Sequence, residues 1–153
     1  MPKARARVLL DTNILISGLV LLKGNEHKIL KLAEEEEIVL ILPESVLEEA
    51  RMVLARSFPG HESLLDTYLS KVKHTLLPWK DFGQSVRAYI EKVRDRKDAP
   101  LLASVVVAKP DFTLIGDATL REDLKRCGET DKITKICSST QFLRAMSKTS
   151  VLK

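Results

Sequence analysis

The chain has 153 residues, of which 44% are hydrophobic and 30% charged, an ordinary globular composition far from disordered or fibrous chains. Two cysteines, Cys127 and Cys137, are too few for a disulfide framework and lack the paired spacing of a zinc site, and neither a membrane-length apolar run nor a signal-like core is present. The expectation is therefore one soluble, cytoplasmic domain over residues 1–153, with a net charge of +4 that welcomes a polyanionic partner.

The first element is a short β-prone run, Arg7–Leu10, stopped by Asp11, Thr12 and Asn13 (DTN), which favour turns and helix caps. Lys3, Arg5 and Arg7 precede or open it. A helix is expected from Asn25 or Glu26 to Glu37, with Ile29 and Leu32 apolar and the run Glu34–Glu37 solvated. Ile38–Leu42 (IVLIL) has no polar alternation, the pattern of a central parallel strand covered on both faces. Pro43 ends it, and Val46, Ala50, Val53 and Leu54 repeat at helical spacing to about Arg56.

Beyond the turn at Pro59 and Gly60, the residues Leu64, Leu65, Tyr68, Leu69 and Val72 make an amphipathic helix. A short strand and loop follow over His74–Trp79, then a helix over Phe82–Val93. Asp98 opens a compact helix, DAPLLASVVVAK, with Pro100 in its first turn. Asp111–Ile115 reads as a strand ended by Gly116 and Asp117, Thr119–Arg126 as a helix, Ile133–Ile136 as a last strand, and Ser139–Met146 as a closing helix capped by Ser139. Strands alternating with helices predict an α/β fold, a three-layer α/β/α sandwich about a mainly parallel sheet. Ligands of such sheets sit beyond the carboxyl ends of the strands, where strand order reverses, and both Asp11 and Asp117 fall at that end.

Acids at two strand ends, one on a following helix and one at another helix start can converge although they are far apart in sequence. Gathered carboxylates repel unless a cation neutralises them, and oxygen-only ligation suits Mg2+ or Mn2+ rather than zinc. The three histidines, His27, His61 and His74, have no metal-binding spacing and read as surface residues. Each acid alone has a simpler role available: Asp11 and Asp98 as helix caps, Asp117 as a turn former and Glu49 as a solvated helix residue.

Three segments together carry a resemblance. VLLDTNILISGL (Val8–Leu19), PESVLEEARMVLAR (Pro43–Arg56) and KDAPLLASVVVAKPDFTLIGDATL (Lys97–Leu120) resemble, in this order, the corresponding parts of PIN domains, and ITKICSSTQFL (Ile133–Leu143) resembles their final strand and helix. The resemblance implies a metal-dependent ribonuclease with Asp11, Glu49, Asp98 and Asp117 as catalytic, metal-binding acids. Glu48 is the alternative to Glu49, which is preferred for its position beside Val46 and Val53. It further implies Asn13 and Ser17 as supporting residues, cleavage of single-stranded RNA to a 5′-phosphate and a 3′-hydroxyl, and an antitoxin partner or a role in RNA maturation, with a homodimer expected. Two positions depart from many relatives: Ile115 stands where Thr or Ser is common, and Thr119 where a further Asp is frequent. Asp123, Glu122 or the substrate phosphate are then candidates to complete a second metal site.

Lys97, Arg96 and Arg121 are the expected RNA contacts, together with Lys92 and Arg94 of the same basic run. A catalytically weak PIN-like module that binds RNA or protein remains the alternative, and a phospho-accepting receiver domain is a more distant one.

Overall fold

The computed structural model describes residues 4–151, so Lys3 lies outside the described residues. Five strands form one sheet: β1 (Ala6–Leu10), β2 (Ile38–Pro43), β3 (His74–Leu77), β4 (Phe112–Leu114) and β5 (Lys135–Cys137). The helices are α1 (Thr12–Val20), α2 (Asn25–Glu34), α3 (Glu44–Ser57), α4 (Ser63–Lys71), the one-turn α5 (Trp79–Phe82) and α6 (Val86–Tyr89), α7 (Ala99–Ala108), α8 (Ala118–Arg126), α9 (Gly128–Ile133) and α10 (Ser139–Val151). All four strand pairings are parallel, in the order β3-β2-β1-β4-β5, with Val8 opposite both Leu40 and Phe112.

The apolar runs explain this order. Val8, Leu9 and Leu10 on β1, and Leu40, Ile41 and Leu42 on β2, are buried at successive positions, so both faces of the sheet are covered. One continuous core reaches from these strands to Leu54 of α3, Leu65 of α4, Leu102 of α7 and Phe142 of α10. From β1 the chain proceeds outward to β2 and β3, then returns to lay β4 and β5 on the opposite side. The reversal falls between β1 and β4, where the two crossovers diverge and leave a crevice above the strand ends.

Four expectations are corrected. The α2 helix ends at Glu34 rather than Glu37: consecutive glutamates are unfavourable at the negative end of a helix, and Glu36, at φ +59°, turns the chain left-handedly toward β2. The segment Phe82–Val93 is a chain of single turns, with 3-10 stretches at Gly83–Ser85 and Ile90–Lys92 in place of one helix. Gly83 and Ser85 are poor helix formers, and the tighter turns keep Phe82, Tyr89 and Val93 buried together.

Ile133 ends α9 rather than opening a strand, because the Thr130 hydroxyl donates to the carbonyls of Leu124 and Cys127 and winds this segment into a compact helix. The cap of α10 is Ser138, not Ser139: Ser138 Oγ accepts from Gln141 N–H at 3.2 Å while Ser138 N–H donates to Gln141 Oε1 at 2.9 Å. Among the described residues no helix is long and apolar enough to cross a membrane, and both cysteines are free.

Candidate active site

β1 is short because Asp11 leaves the ladder and turns its side chain back into the fold. Its N–H still donates to the Leu114 carbonyl of β4 at 3.1 Å, which fixes the acid at the reversal point. Its Oδ1 accepts from Ile14 N–H at 2.8 Å, capping α1, and its Oδ2 accepts from Gly116 N–H at 3.0 Å. The simple role as a cap is therefore real, yet a carboxylate has about four acceptor positions, so two remain. Only 6% of Asp11 is exposed. Burial, opposed by these two amides and reinforced by Glu49 and Asp98, pushes its carboxyl up to about 6.

Asp98 sits at the start of α7 but makes no capping bond to it. The half-buried carboxyl is also pushed up to about 6, by burial first and then by Asp95, Asp117, Glu49 and Asp123. Asp117 follows β4 by three residues and caps α8 through Thr119 N–H at 2.8 Å. Glu49, on α3, accepts from the Thr12 hydroxyl at 3.1 Å. Glu48 points elsewhere and accepts from the Trp79 indole N–H at 2.9 Å.

Asp11, Glu49, Asp98 and Asp117 thus line one cleft of about 330 Å³, together with Thr12, Asn13, Ser45, Trp79 and Lys97. The donor set fits a hard divalent cation, since it is all oxygen, mutually repelling and partly withdrawn from water. Among the described residues no three of these groups stand close enough to enclose an ion as they are.

The remaining expected residues divide. Asn13 lines the cleft but its side chain makes no hydrogen bond among the described residues, whereas its neighbour Thr12 bonds Glu49. Ser17 lies farther along α1 and does not line the cleft. Lys97 is at the rim, and Arg96 is exposed beside it. Arg121 is occupied: its Nη1 donates to the carbonyls of Ile115 at 2.7 Å and Gly116 at 3.0 Å, bracing the turn that presents Asp117.

Arg94 pairs through Nε with Asp123 at 3.1 Å and donates its backbone N–H to the same carboxylate at 3.0 Å. Asp123, 3% exposed and also near Arg126, is thus ion-paired within the fold and does not line the cleft, although its charge reaches Asp98. Glu122, exposed and paired with Arg94, likewise lies outside the cleft. Lys92 sits over the Tyr89 ring, 5.6 Å from its centroid. Arg7 caps the end of α7 through the carbonyls of Ala108 and Lys109, at the opposite end of the sheet. His27 and His74 are half-buried, each with Nδ1 on a backbone carbonyl, rather than free surface residues.

Sequence reading missed Trp79, the only tryptophan of the chain. Its backbone N–H donates to Glu44 at 2.8 Å, its indole to Glu48, and its ring stacks on Phe82 at 4.9 Å between centroids. No local pattern signals this, because α5 and α3 meet across separations of 35 and 31 residues in the chain.

Solved structures share the fold. VapBC2 from Rickettsia felis, solved bound to a DNA fragment from their promoter, superposes with a TM-score of 0.63 at 15% identity, covering 86% of this chain and 99% of that one. FitAcB from Neisseria gonorrhoeae gives 0.52 at 16% identity, covering 86% and 97%. No curated protein matches the chain in sequence. The family model described as "PIN domain" matches residues 7–118, a stretch that holds β1 from its second residue, β2 to β4 and all four acids of the cleft. The chain belongs to the PIN domain family.

Proposed function

We propose that the chain, over its whole length, is a divalent-metal-dependent endoribonuclease that hydrolyses phosphodiester bonds of single-stranded RNA. The observation that carries this reading is the convergence of Asp11, Glu49, Asp98 and Asp117 on one cleft at the reversal of the sheet. These four residues would hold Mg2+ or Mn2+. When bound, the ion supplies neutralisation of the phosphodiester charge and a lowered pKa for the attacking water.

The chain supplies the rest. Asp11 is anchored by two backbone amides, Glu49 is oriented by Thr12, and Asp117 is held by its cap on α8 and by the Arg121 brace. Lys97 at the rim, with Arg96 beside it, offers a cation to the RNA backbone. The half-buried Trp79 offers a ring against which a base can stack. A product with a 5′-phosphate and a 3′-hydroxyl follows from the family resemblance.

Incubation of labelled single-stranded RNA with Mn2+ or with EDTA, alongside a variant in which all four acids are amides, tests the reading. Cleavage only by the wild type with metal, leaving 5′-phosphate ends, supports it; binding without cleavage assigns the chain to the catalytically weak PIN-like binding modules. An antitoxin partner belongs to the same proposal, supported by the VapBC2 and FitAcB likenesses, and a homodimer and a cytoplasmic location complete it. Growth arrest on expression, relieved by the neighbouring open reading frame, distinguishes a toxin from an RNA-maturation enzyme.

A further inference from the structure

A second concavity, of about 340 Å³, lies at the β5 edge of the sheet between α8 and α10. Lys125 of α8, Lys135 of β5, and Arg144 and Lys148 of α10 line it together with Gln141 and Cys137. All four cations are outside every ion pair of the described residues, and the groove has no acid in its lining. An adjoining depression adds Lys132, with Asp131 as the one carboxylate.

Burial pushes the Cys137 thiol up to about 11, and it is opposed by Lys135, Lys125 and Arg121, so positive potential from separate elements focuses on the end of β5. A lysine on an edge strand is an ordinary guard against edge pairing. That role asks for one cation, whereas here three elements contribute four, and Arg144 and Lys148 stand at i,i+4, where like charges are unfavourable in a helix. Their repulsion is relieved by a ligand carrying several negative charges at once.

We propose that this groove binds the phosphodiester backbone of a nucleic-acid strand at a site separate from the acid cleft. The helix α8 links the two, with Asp117 at its start and Lys125 in its last turn, about 12 Å apart along the axis. A strand held in the groove is thereby anchored one helix length from the cleft, without base-specific contacts. The identity of the ligand as nucleic acid rests on the ribonuclease reading, but its binding does not require cleavage.

The test is fluorescence anisotropy with labelled single-stranded RNA and DNA 20-mers in EDTA, across a series of salt concentrations. Lys135→Gln/Arg144→Gln/Lys148→Gln should keep the wild-type melting temperature or exceed it, weaken RNA binding at least tenfold, and make the slope of log K against log salt shallower by about 2, at about 0.7 per lost phosphate contact. A control with the same charge loss, Lys28→Gln/Lys71→Gln/Lys73→Gln, should retain most of the affinity. Equal losses in both triples would reduce the effect to net charge and overturn the groove, as would unchanged affinity and slope in the first. Binding of a polyglutamate peptide, but of neither nucleic acid, with the same sensitivity to the first triple would overturn it in favour of an acidic protein partner. A wild type that binds RNA through the groove in EDTA yet never cleaves with Mn2+ loses the ribonuclease reading and keeps the groove; cleavage and RNA binding that both ignore the triple do the reverse.

Discussion

Asp117 works twice, as a cap on α8 and as a wall of the acid cleft, and the two roles separate by substitution. Asparagine caps as well as aspartate does, while alanine does not. Asp117→Asn should therefore melt with the wild type and Asp117→Ala should lose about 1 kcal/mol in urea unfolding, yet both should lose at least tenfold in RNA cleavage. Cleavage that survives in the asparagine variant would leave Asp117 as a cap only. Glu49 and Glu48 give a second contrast. Glu49→Gln should lose at least tenfold in cleavage, because its carboxylate faces the cleft beside Thr12, whereas Glu48→Gln keeps its bond to the Trp79 indole and should stay within about twofold. The reverse order would show that the helix presents the wrong glutamate. The three aspartates were legible in the sequence because turn-forming acids end strands or open helices within short motifs. Thr12 and Trp79 were not, since each acquires its role from a contact across dozens of residues. Arg121 looked like a free cation for a related reason: nothing local shows that the carbonyls of Ile115 and Gly116 lie within its reach.

Among the elements, long periodic runs were read with the right type, and errors gathered where a turn decides the outcome. Unbroken apolar runs place strands in the middle of a sheet, which is why β1 and β2 could be read directly. By contrast, α9 depends on one hydroxyl, Thr130, folding over two carbonyls, and the Phe82–Val93 segment on which apolar residues find the core. The cap of α10 shows the same sensitivity at one-residue resolution. Ser138→Ala should cost about 1 kcal/mol by removing the reciprocal bond with Gln141. Ser139→Ala should be neutral or stabilising, since the buried Ser139 hydroxyl has no hydrogen-bond partner among the described residues. Equal losses by chemical denaturation would return the cap to Ser139. The contact of α1 with α2 is equally exacting: a β-carbon on Gly18 would stand 2.6 Å from Leu30 Cδ1 and 2.9 Å from the Glu26 carbonyl. The expected loss for Gly18→Ala is about 1–3 kcal/mol, because the carbonyl is backbone and cannot step aside.

For the whole molecule, the cleft is a source of electrostatic tension. Asp11 and Asp98 titrate near 6 in the folded state and near 4 when unfolded, so between these values the folded protein holds more protons. Their stabilising contribution is greatest below about pH 4 and is lost as pH rises through 6. Asp98 makes no cap, so Asp98→Asn removes its part of the titration without opening a helix end. In EDTA this variant should melt at or above the wild-type temperature at pH 7, with the advantage shrinking toward pH 4, and it should gain less from Mn2+ at pH 7. A wild type that falls behind the variant as pH is lowered from 7 to 5 would reverse the sign and refute the assignment. The order of the sheet has a further consequence, in time rather than in energy. The central strand β1 comes first in the chain, yet one of its edges stays open until β4 arrives, and Asp11 receives its Gly116 amide from 105 residues downstream. Contacts of such separation form late, after the entropy of closing a long loop has been met. On the ribosome, the cleft therefore comes together only after the segment through Asp117 has followed Asp11 out, and under the proposed function a nascent chain holds no assembled acid cluster before then.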